Sequence, residues 1–200
     1  DLIEQHIYST GVDPKIPPID LLDPDYKEKL NDHKTSQSKA SEVGNAIKHH
    51  ININIDEDPE YYKKLSERLE EIIQKHEERW DEMVQLLLGL RDSIEEDHKK
   101  EADTLGLTQT ELSFYNILIA ELGEGQNIDT AKIEKAKEVV RSLVQLLDEA
   151  TQIVDFFSKW DEQKRVKKDI KRVVIENFDE SLVKSVTERF LELAKVKFKQ

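Results

Sequence analysis

Glu95 and His98 stand at a spacing used in carboxylate-bridged metal sites, and they form the most chemically suggestive pair in the chain. The Glu-x-x-His pattern places both side chains on one helix face, and di-iron four-helix bundles use it twice. No other histidine of the sequence has a glutamate three residues before it. Charged residues also fill the whole segment 95–101, which is typical of a solvated helix surface. The di-iron hypothesis therefore fails on its missing second copy.

Other potential metal ligands are poorly spaced for the task. His49 and His50 are adjacent, so on a helix their side chains point about 100° apart and cannot grip one ion together. Acidic clusters at 56–58, 77–82 and 95–97 lack the Asp-rich loop with a central glycine that marks calcium sites. The chain has no cysteine for thiolate ligands or disulfides. We expect no metal and no other cofactor in this chain.

Catalytic signatures for phosphate and acyl chemistry are also missing from the sequence. It contains no P-loop, no Gly-x-Gly-x-x-Gly turn and no Gly-x-Ser-x-Gly elbow. No pair of carboxylates stands out beside a positioned lysine, as a nuclease centre requires. We expect no catalytic residues in this chain.

One concentrated basic run gives the chain a candidate docking face. It carries six cationic residues against Asp161, Glu162 and Asp169, a local charge of +3. The apolar positions between them indicate one side of an amphipathic helix, so the cations form either a solvated surface or a face for an acidic partner or nucleic acid. Arg189, Lys195, Lys197 and Lys199 add cations further on. The candidate docking residues are Lys164, Arg165, Lys168, Lys171 and Arg172.

Trp160 precedes the basic run and is the second of two tryptophans. It closes the apolar repeat of the preceding helix, which favours a place in the core. A large aromatic side chain at the end of a bundle can equally anchor an interface.

Composition limits the class of protein. The net charge of −13 argues against a free-standing duplex-binding protein, because DNA affinity comes largely from neutralising phosphates with Lys and Arg. No apolar run approaches the roughly 20 residues of a membrane span, and no signal peptide opens the chain. We expect a cytoplasmic protein. Charged residues make up 36% of the chain, with five prolines and six glycines, which suits long solvated helices.

The first part of the chain is the least regular. Pro14, Pro17 and Pro18 forbid a continuous helix, and Asp23-Pro24 resembles a cap followed by a first-turn proline. We predict a strap over residues 1–34 with one short helix near 24–31. A helix then spans about 35–55, although the alternation of Ile51, Ile53 and Ile55 also fits a short extended segment.

Apolar residues recur at alternating steps of three and four through the rest of the chain. This pattern predicts a long helix over 58–105, with Gly89 as a possible bend and Gly106 as a left-handed residue just after its end. A capping box at Thr108 and Glu111 starts a helix that continues to Leu122, before Gly123-Glu-Gly125 breaks it. Asp129 or Thr130 caps a second long helix over 129–158, and two further helices span 161–177 and 180–199. The apolar seam predicted for the second long helix is Ile133, Ala136, Val140, Leu143, Leu147, Ala150, Val154 and Phe157. The predicted fold is all-α: an elongated bundle on two long antiparallel helices, with residues 35–200 as one domain.

Four stretches resemble one known family. They are residues 39–72 (KASEVGNAIKHHININIDEDPEYYKKLSERLEEI), 105–115 (LGLTQTELSFY), 154–160 (VDFFSKW) and 17–24 (PPIDLLDP). Together they are similar to the helical domain at the C-terminal end of the R subunit (HsdR) of type I restriction enzymes. The resemblance covers nearly the whole chain and includes no catalytic motif.

The resemblance implies a function that composition alone does not. The R subunit cuts and translocates DNA with ATP and Mg, and its nuclease and motor would precede Asp1. The C-terminal helical domain would dock that motor onto the methyltransferase core, chiefly through the M subunit, with the S subunit choosing the site. This fragment is then non-catalytic, and it meets DNA through the assembled complex. The alternative is a stand-alone helical adaptor or oligomerisation module.

Overall fold

The computed structural model describes residues 20–123 and 130–198, except for the side chain of Glu95. All regular structure in these ranges is helical. No strand occurs in these ranges, so the all-α prediction is confirmed. None of the described helices is both long enough and apolar enough to cross a bilayer. The α-helices are α1 (Tyr26–Lys29), α2 (Ser36–Asn54), α3 (Pro59–Lys75), α4 (Trp80–Leu105), α5 (Gln109–Gly123), α6 (Thr130–Thr151), α7 (Trp160–Asn177) and α8 (Val183–Lys197).

Some predictions concern residues outside these ranges. They are the prolines of the strap at 14, 17 and 18, the cap at Asp129, the break after Gly123, the cation Lys199 and the side chain of Glu95. The contacts divide the described residues into two compact units: 20–55 together with 62–97, and 56–61 together with those from 98 onward. The predicted boundary between a strap over residues 1–34 and a single domain over residues 35–200 stays a prediction.

The first unit packs the early helices on an aliphatic core. Thr35 caps α2, since its hydroxyl accepts a hydrogen bond from the Ser38 N–H at 3.1 Å. The helix continues to Asn54, which confirms the predicted helix over about 35–55 and excludes the extended alternative at 51–55. The buried side chains of this unit include Tyr26, Leu30, Val43, Ile47, Leu65, Leu69, Leu87 and Leu90.

Arg91 on α4 holds the segment before α1 in place. Its Nε donates to the Leu21 carbonyl at 2.7 Å and its Nη2 to the Asp23 carbonyl at 2.8 Å. The guanidinium also lies 4.9 Å from the centre of the buried Tyr26 ring. The predicted short helix near 24–31 is found as α1 and a 3₁₀ turn over Leu30–Asp32. Asp23 is not its cap, because its carboxylate accepts from the Asp25 N–H at 2.8 Å, before the helix begins.

The predicted long helix over 58–105 is wrong as a continuous element. It is divided into α3 and α4 by residues 76–79, where Glu78 takes a left-handed conformation with φ 67°. The Arg79 guanidinium donates to the Lys75 carbonyl, which satisfies one of the free carbonyls at the end of α3. The helix does not break at Gly89, where the sequence suggested a bend, because Gly89 lies inside α4.

The end of α4 and the start of α5 follow the prediction. Gly106 has φ +66°, and the Leu107 N–H donates to the Ala102 carbonyl at 2.9 Å, which is the hydrogen bond of a Schellman motif. The capping box is complete: the Glu111 N–H donates to the Thr108 hydroxyl at 3.1 Å, and the Thr108 N–H to the Glu111 carboxylate at 2.7 Å.

The second unit is a four-helix bundle in which α5 packs against α6 and α8, and α7 packs against the same two helices. Helix α5 is buried on every side from Leu112 to Leu118, as expected for a helix whose apolar residues surround its axis. Its Phe114 ring meets the Phe190 ring of α8 edge to face, with centroids 5.0 Å apart.

Helix α6 ends earlier than the predicted helix over 129–158. It stops at Thr151, and Asp155 then takes a left-handed conformation with φ 56° before a 3₁₀ turn over Phe156–Ser158. The predicted apolar seam holds for Ala136, Val140, Leu143 and Leu147, which are buried. After the end of α6, Val154 is 68% exposed and Phe156 is the buried ring. The spine of two long antiparallel helices is therefore not confirmed.

Candidate docking face and a buried polar network

The five candidate docking residues lie on the solvent side of α7. Lys164, Arg165, Lys168, Lys171 and Arg172 are all exposed. The opposite side of the same helix buries Val166, Ile170 and Val174 in the bundle core. The amphipathic pattern of the sequence thus correctly separated the cations from the core.

Carboxylates next to this face moderate its charge. Arg165 lies 4.0 Å from Glu162, Arg172 lies 3.3 Å from Asp169, and Lys171 lies 4.0 Å from Glu180. Exposed pairs of this kind contribute about 0–1 kcal/mol each to stability. Their main effect here is to lower the net charge of the face. Among the described residues, Lys167 and Lys168 have no carboxylate within ion-pair distance.

Trp160 does not pack in the core, so that interpretation was wrong. The residue begins α7 and is 69% exposed, and the Nζ of Lys164 lies 4.7 Å from its ring centre. Phe156, four residues earlier, fills the core position at this corner instead, at 2% exposure. The other predicted role, an interface anchor, agrees with the exposure.

Two cations that were predicted to extend the basic face are engaged inside the second unit. The Arg189 guanidinium on α8 donates to Glu121 at 2.8 Å and also to Glu60, and its side chain is 27% exposed. Lys197 donates to Glu57 at 2.8 Å. Lys195 is exposed on α8. The basic face is therefore limited mainly to α7.

Asp58 is the centre of a buried polar network that the sequence did not predict. Its carboxylate is 2% exposed and faces His98 Nε2 at 3.0 Å. It accepts from the Asn116 side-chain amide at 3.2 Å and from the Tyr61 N–H at 3.2 Å. The Tyr61 ring meets the His98 ring edge to face at 4.7 Å. His98 was predicted to lie on a solvated surface, and this was wrong because α4 turns it toward Asp58.

Glu60, Arg189 and Glu121 form a second part of this network. Glu60 is 6% exposed, and the arginine bridges it to Glu121. Burial raises the pKa of Glu121, but hydrogen bonds from Ser185 and Arg189 and the charge of Arg189 outweigh it. The pKa of Glu121 is therefore lower than that of an ordinary glutamate.

The network joins distant parts of the second unit. Every polar side chain named in it faces another group of the same unit. In the described residues, no group of three His, Asp or Glu side chains could hold a metal ion. One signal was available in the sequence: Asn116 interrupts the apolar run of α5, and a buried amide needs a partner.

Removing the Asp58 carboxylate should destabilise the fold. We expect Asp58→Ala to lower the free energy of unfolding by about 2–4 kcal/mol, because it removes a helix cap and leaves two buried donors unsatisfied. Urea denaturation followed by circular dichroism measures the change.

Asp56→Ala is the matched control for this variant. Asp56 lies two residues earlier and is exposed, so its loss should change the free energy of unfolding by less than about 0.5 kcal/mol. Equal denaturation midpoints for the two variants would show that the buried network adds nothing to stability.

The fold and these side chains define an all-helical protein with a packed polar network and an exposed basic face. The family model described as type I restriction enzyme HindI endonuclease subunit-like, C-terminal, matches residues 5–200. The chain belongs to this family, which confirms the resemblance found in the sequence.

A curated relative agrees with the family. It is a protein of Methanocaldococcus jannaschii named as the endonuclease subunit of a type I restriction enzyme, MjaIXP, and it is 25% identical over 154 residues. The match covers 72% of this chain and 14% of the length of that relative. No solved structure matches the chain.

Proposed function

We propose that this chain is an assembly domain of a type I restriction enzyme. It docks the ATP-dependent DNA translocase and endonuclease subunit, the R subunit, onto the methyltransferase core through the M subunit. The observation that carries the proposal is membership of the C-terminal family of the endonuclease subunit, matched over residues 5–200. A packed helical domain suits a part that holds the translocase and endonuclease subunit at a fixed distance from the methyltransferase core.

The geometry of the second unit supports a binding role more than a catalytic one. Its helices bury a continuous apolar core, and its polar side chains pair with each other inside the bundle. The cations of α7 remain accessible to a partner. ATP and Mg act in the nuclease and motor parts of the R subunit, and this chain contributes no catalytic residue to them. The assembled enzyme works in the cytoplasm and reaches DNA through its other subunits.

Binding to the M subunit tests the proposal. We expect the purified chain to form a one-to-one complex with the M subunit of the same restriction system, seen by sedimentation velocity and by calorimetry.

The chain alone should neither hydrolyse ATP nor cleave or methylate DNA, because it lacks a phosphate-binding loop and a carboxylate centre.

Two results would contradict the proposal. The first is the absence of binding to the M subunit at concentrations near 10 μM, while the M subunit still assembles with the S subunit. The second is DNA-stimulated ATP turnover that follows the chain through purification. Self-association of the chain without affinity for the M subunit would favour the oligomerisation alternative.

A further inference from the structure

The exposed side of α7 has apolar groups at both ends and cations between them. Trp160 is 69% exposed at the first turn and Ile175 is 40% exposed near the last. Helical geometry puts these two residues within about 60° of each other around the axis and about 22 Å apart along it. Four lysines occupy the same side between them and are exposed: Lys164, Lys167, Lys168 and Lys171. We call these six residues the α7 stripe.

Trp160 has the features of an interface anchor. Tryptophan is enriched among the residues that dominate binding energy in protein interfaces, provided that the partner buries it. Here the Nζ of Lys164 lies 4.7 Å from the ring centre, and the indole is still 69% exposed. Tryptophan offers a large contact area with only two side-chain torsions, so it loses little entropy when a partner buries it.

The stripe fits a protein partner better than the phosphate backbone of DNA. A phosphate surface is bound by several cations, and three of the four lysines of the stripe could serve it, but the carboxylates beside Lys171, Arg165 and Arg172 limit the positive charge of the wider surface. Phosphates also offer nothing to Ile175 or to the body of the indole. Two apolar ends enclosing a row of lysines match a protein surface with two apolar recesses and acidic residues between them.

We infer that the α7 stripe is the surface that binds the M subunit, and that it fits an acidic strip on that subunit with an apolar recess at each end. This inference rests on the proposed function and specifies the site and the chemistry of the partner. A second copy of this chain is a poorer occupant, because two chains of charge −13 repel each other at long range.

Two single substitutions test the stripe against matched controls. Trp160→Ala and Lys168→Glu should each weaken the affinity for the M subunit at least about tenfold in calorimetry at 50 mM salt. The loss for Lys168→Glu should shrink at 500 mM salt, because salt screens the charges, while the loss for Trp160→Ala should not. The controls are Leu86→Ala, an exposed apolar residue of α4, and Lys135→Glu, an exposed lysine of α6.

The outcomes separate this inference from the proposed function. If the unaltered chain binds the M subunit and both stripe variants bind it equally well, the inference is wrong and the proposed function stands. If the unaltered chain does not bind at all, the proposed function fails first.

Loss of binding to a 20-base-pair duplex in the stripe variants, with binding to the M subunit unchanged, would assign the stripe to DNA. A dimer that Trp160→Ala dissociates would assign it to a second copy. Thermal melts should match among all variants, since the altered side chains are exposed.

Discussion

Replacing Leu143 with aspartate should lower the free energy of unfolding by about 4 kcal/mol or more. Leu143 is fully buried on α6, inside the core shared by α5, α6, α7 and α8. The substitution removes the apolar contacts of the leucine and also puts a carboxylate among side chains that cannot hydrogen-bond to it. Single domains are stable by about 5–15 kcal/mol, so this variant should be largely unfolded near 37 °C. Urea denaturation with circular dichroism and tryptophan fluorescence measures the effect.

Ser142→Asp is the control for the introduced charge. Ser142 is the preceding residue of α6 and is exposed, so the same carboxylate should remain hydrated there and change stability by less than about 0.5 kcal/mol. Leu87→Asp tests the first unit in the same way, because Leu87 is fully buried on α4. A Leu143→Asp variant that melts with the unaltered chain would show that α6 does not pack as described.

Local sequence signals predicted those parts of the fold that short-range interactions determine. The capping box at Thr108 and Glu111 and the glycine at 106 are formed by hydrogen bonds within a few residues, and both were found as predicted. The buried positions of α6 and α7 were also predicted, because a step of three or four residues repeats one helix face. These signals depend on no distant residue.

The breaks in the helices depend on interactions that periodicity does not show. Residues 76–79 contain neither glycine nor proline, and the apolar repeat continues across them, yet Glu78 adopts a left-handed conformation. At the end of α6, Phe156 takes the core position that the repeat assigned to Phe157. That exchange turns the chain and leaves Trp160 exposed at the start of α7. The exchange at Phe156 is a choice between two apolar packings, which the pattern alone cannot rank.

The polar network was missed because its members are distant in the sequence. Asp58 lies 40 residues from His98 and 58 from Asn116, and Arg189 lies 129 from Glu60. Charge counting placed Arg189 on an outer basic face, since an arginine among polar residues is most often exposed. The basic run of α7 was predicted correctly because its cations and its apolar residues alternate within one helix.

Arg189→Met should destabilise the second unit by about 3 kcal/mol at neutral pH. The arginine is the counter-ion of Glu60 and Glu121, and Glu60 is 6% exposed. Without the guanidinium, the buried carboxylate of Glu60 loses its partner, which costs more than the pair itself contributes. Lys184→Met is the control, because it removes one positive charge from an exposed position of the same helix.

The destabilisation caused by Arg189→Met should shrink as the pH falls. Because the pKa of Glu121 is lowered in the folded chain, its contribution to stability is present above the unfolded-state pKa of about 4.3 and is lost as the pH falls through the lower folded value. The variant lacks the guanidinium that lowers this pKa, so it has less of this contribution to lose as the pH falls. We therefore expect the difference in the free energy of unfolding between the two proteins to be largest near pH 7 and clearly smaller near pH 3.5. A difference that stays constant across this range, measured by urea denaturation at each pH, would show that Arg189 acts through packing and not through its charge.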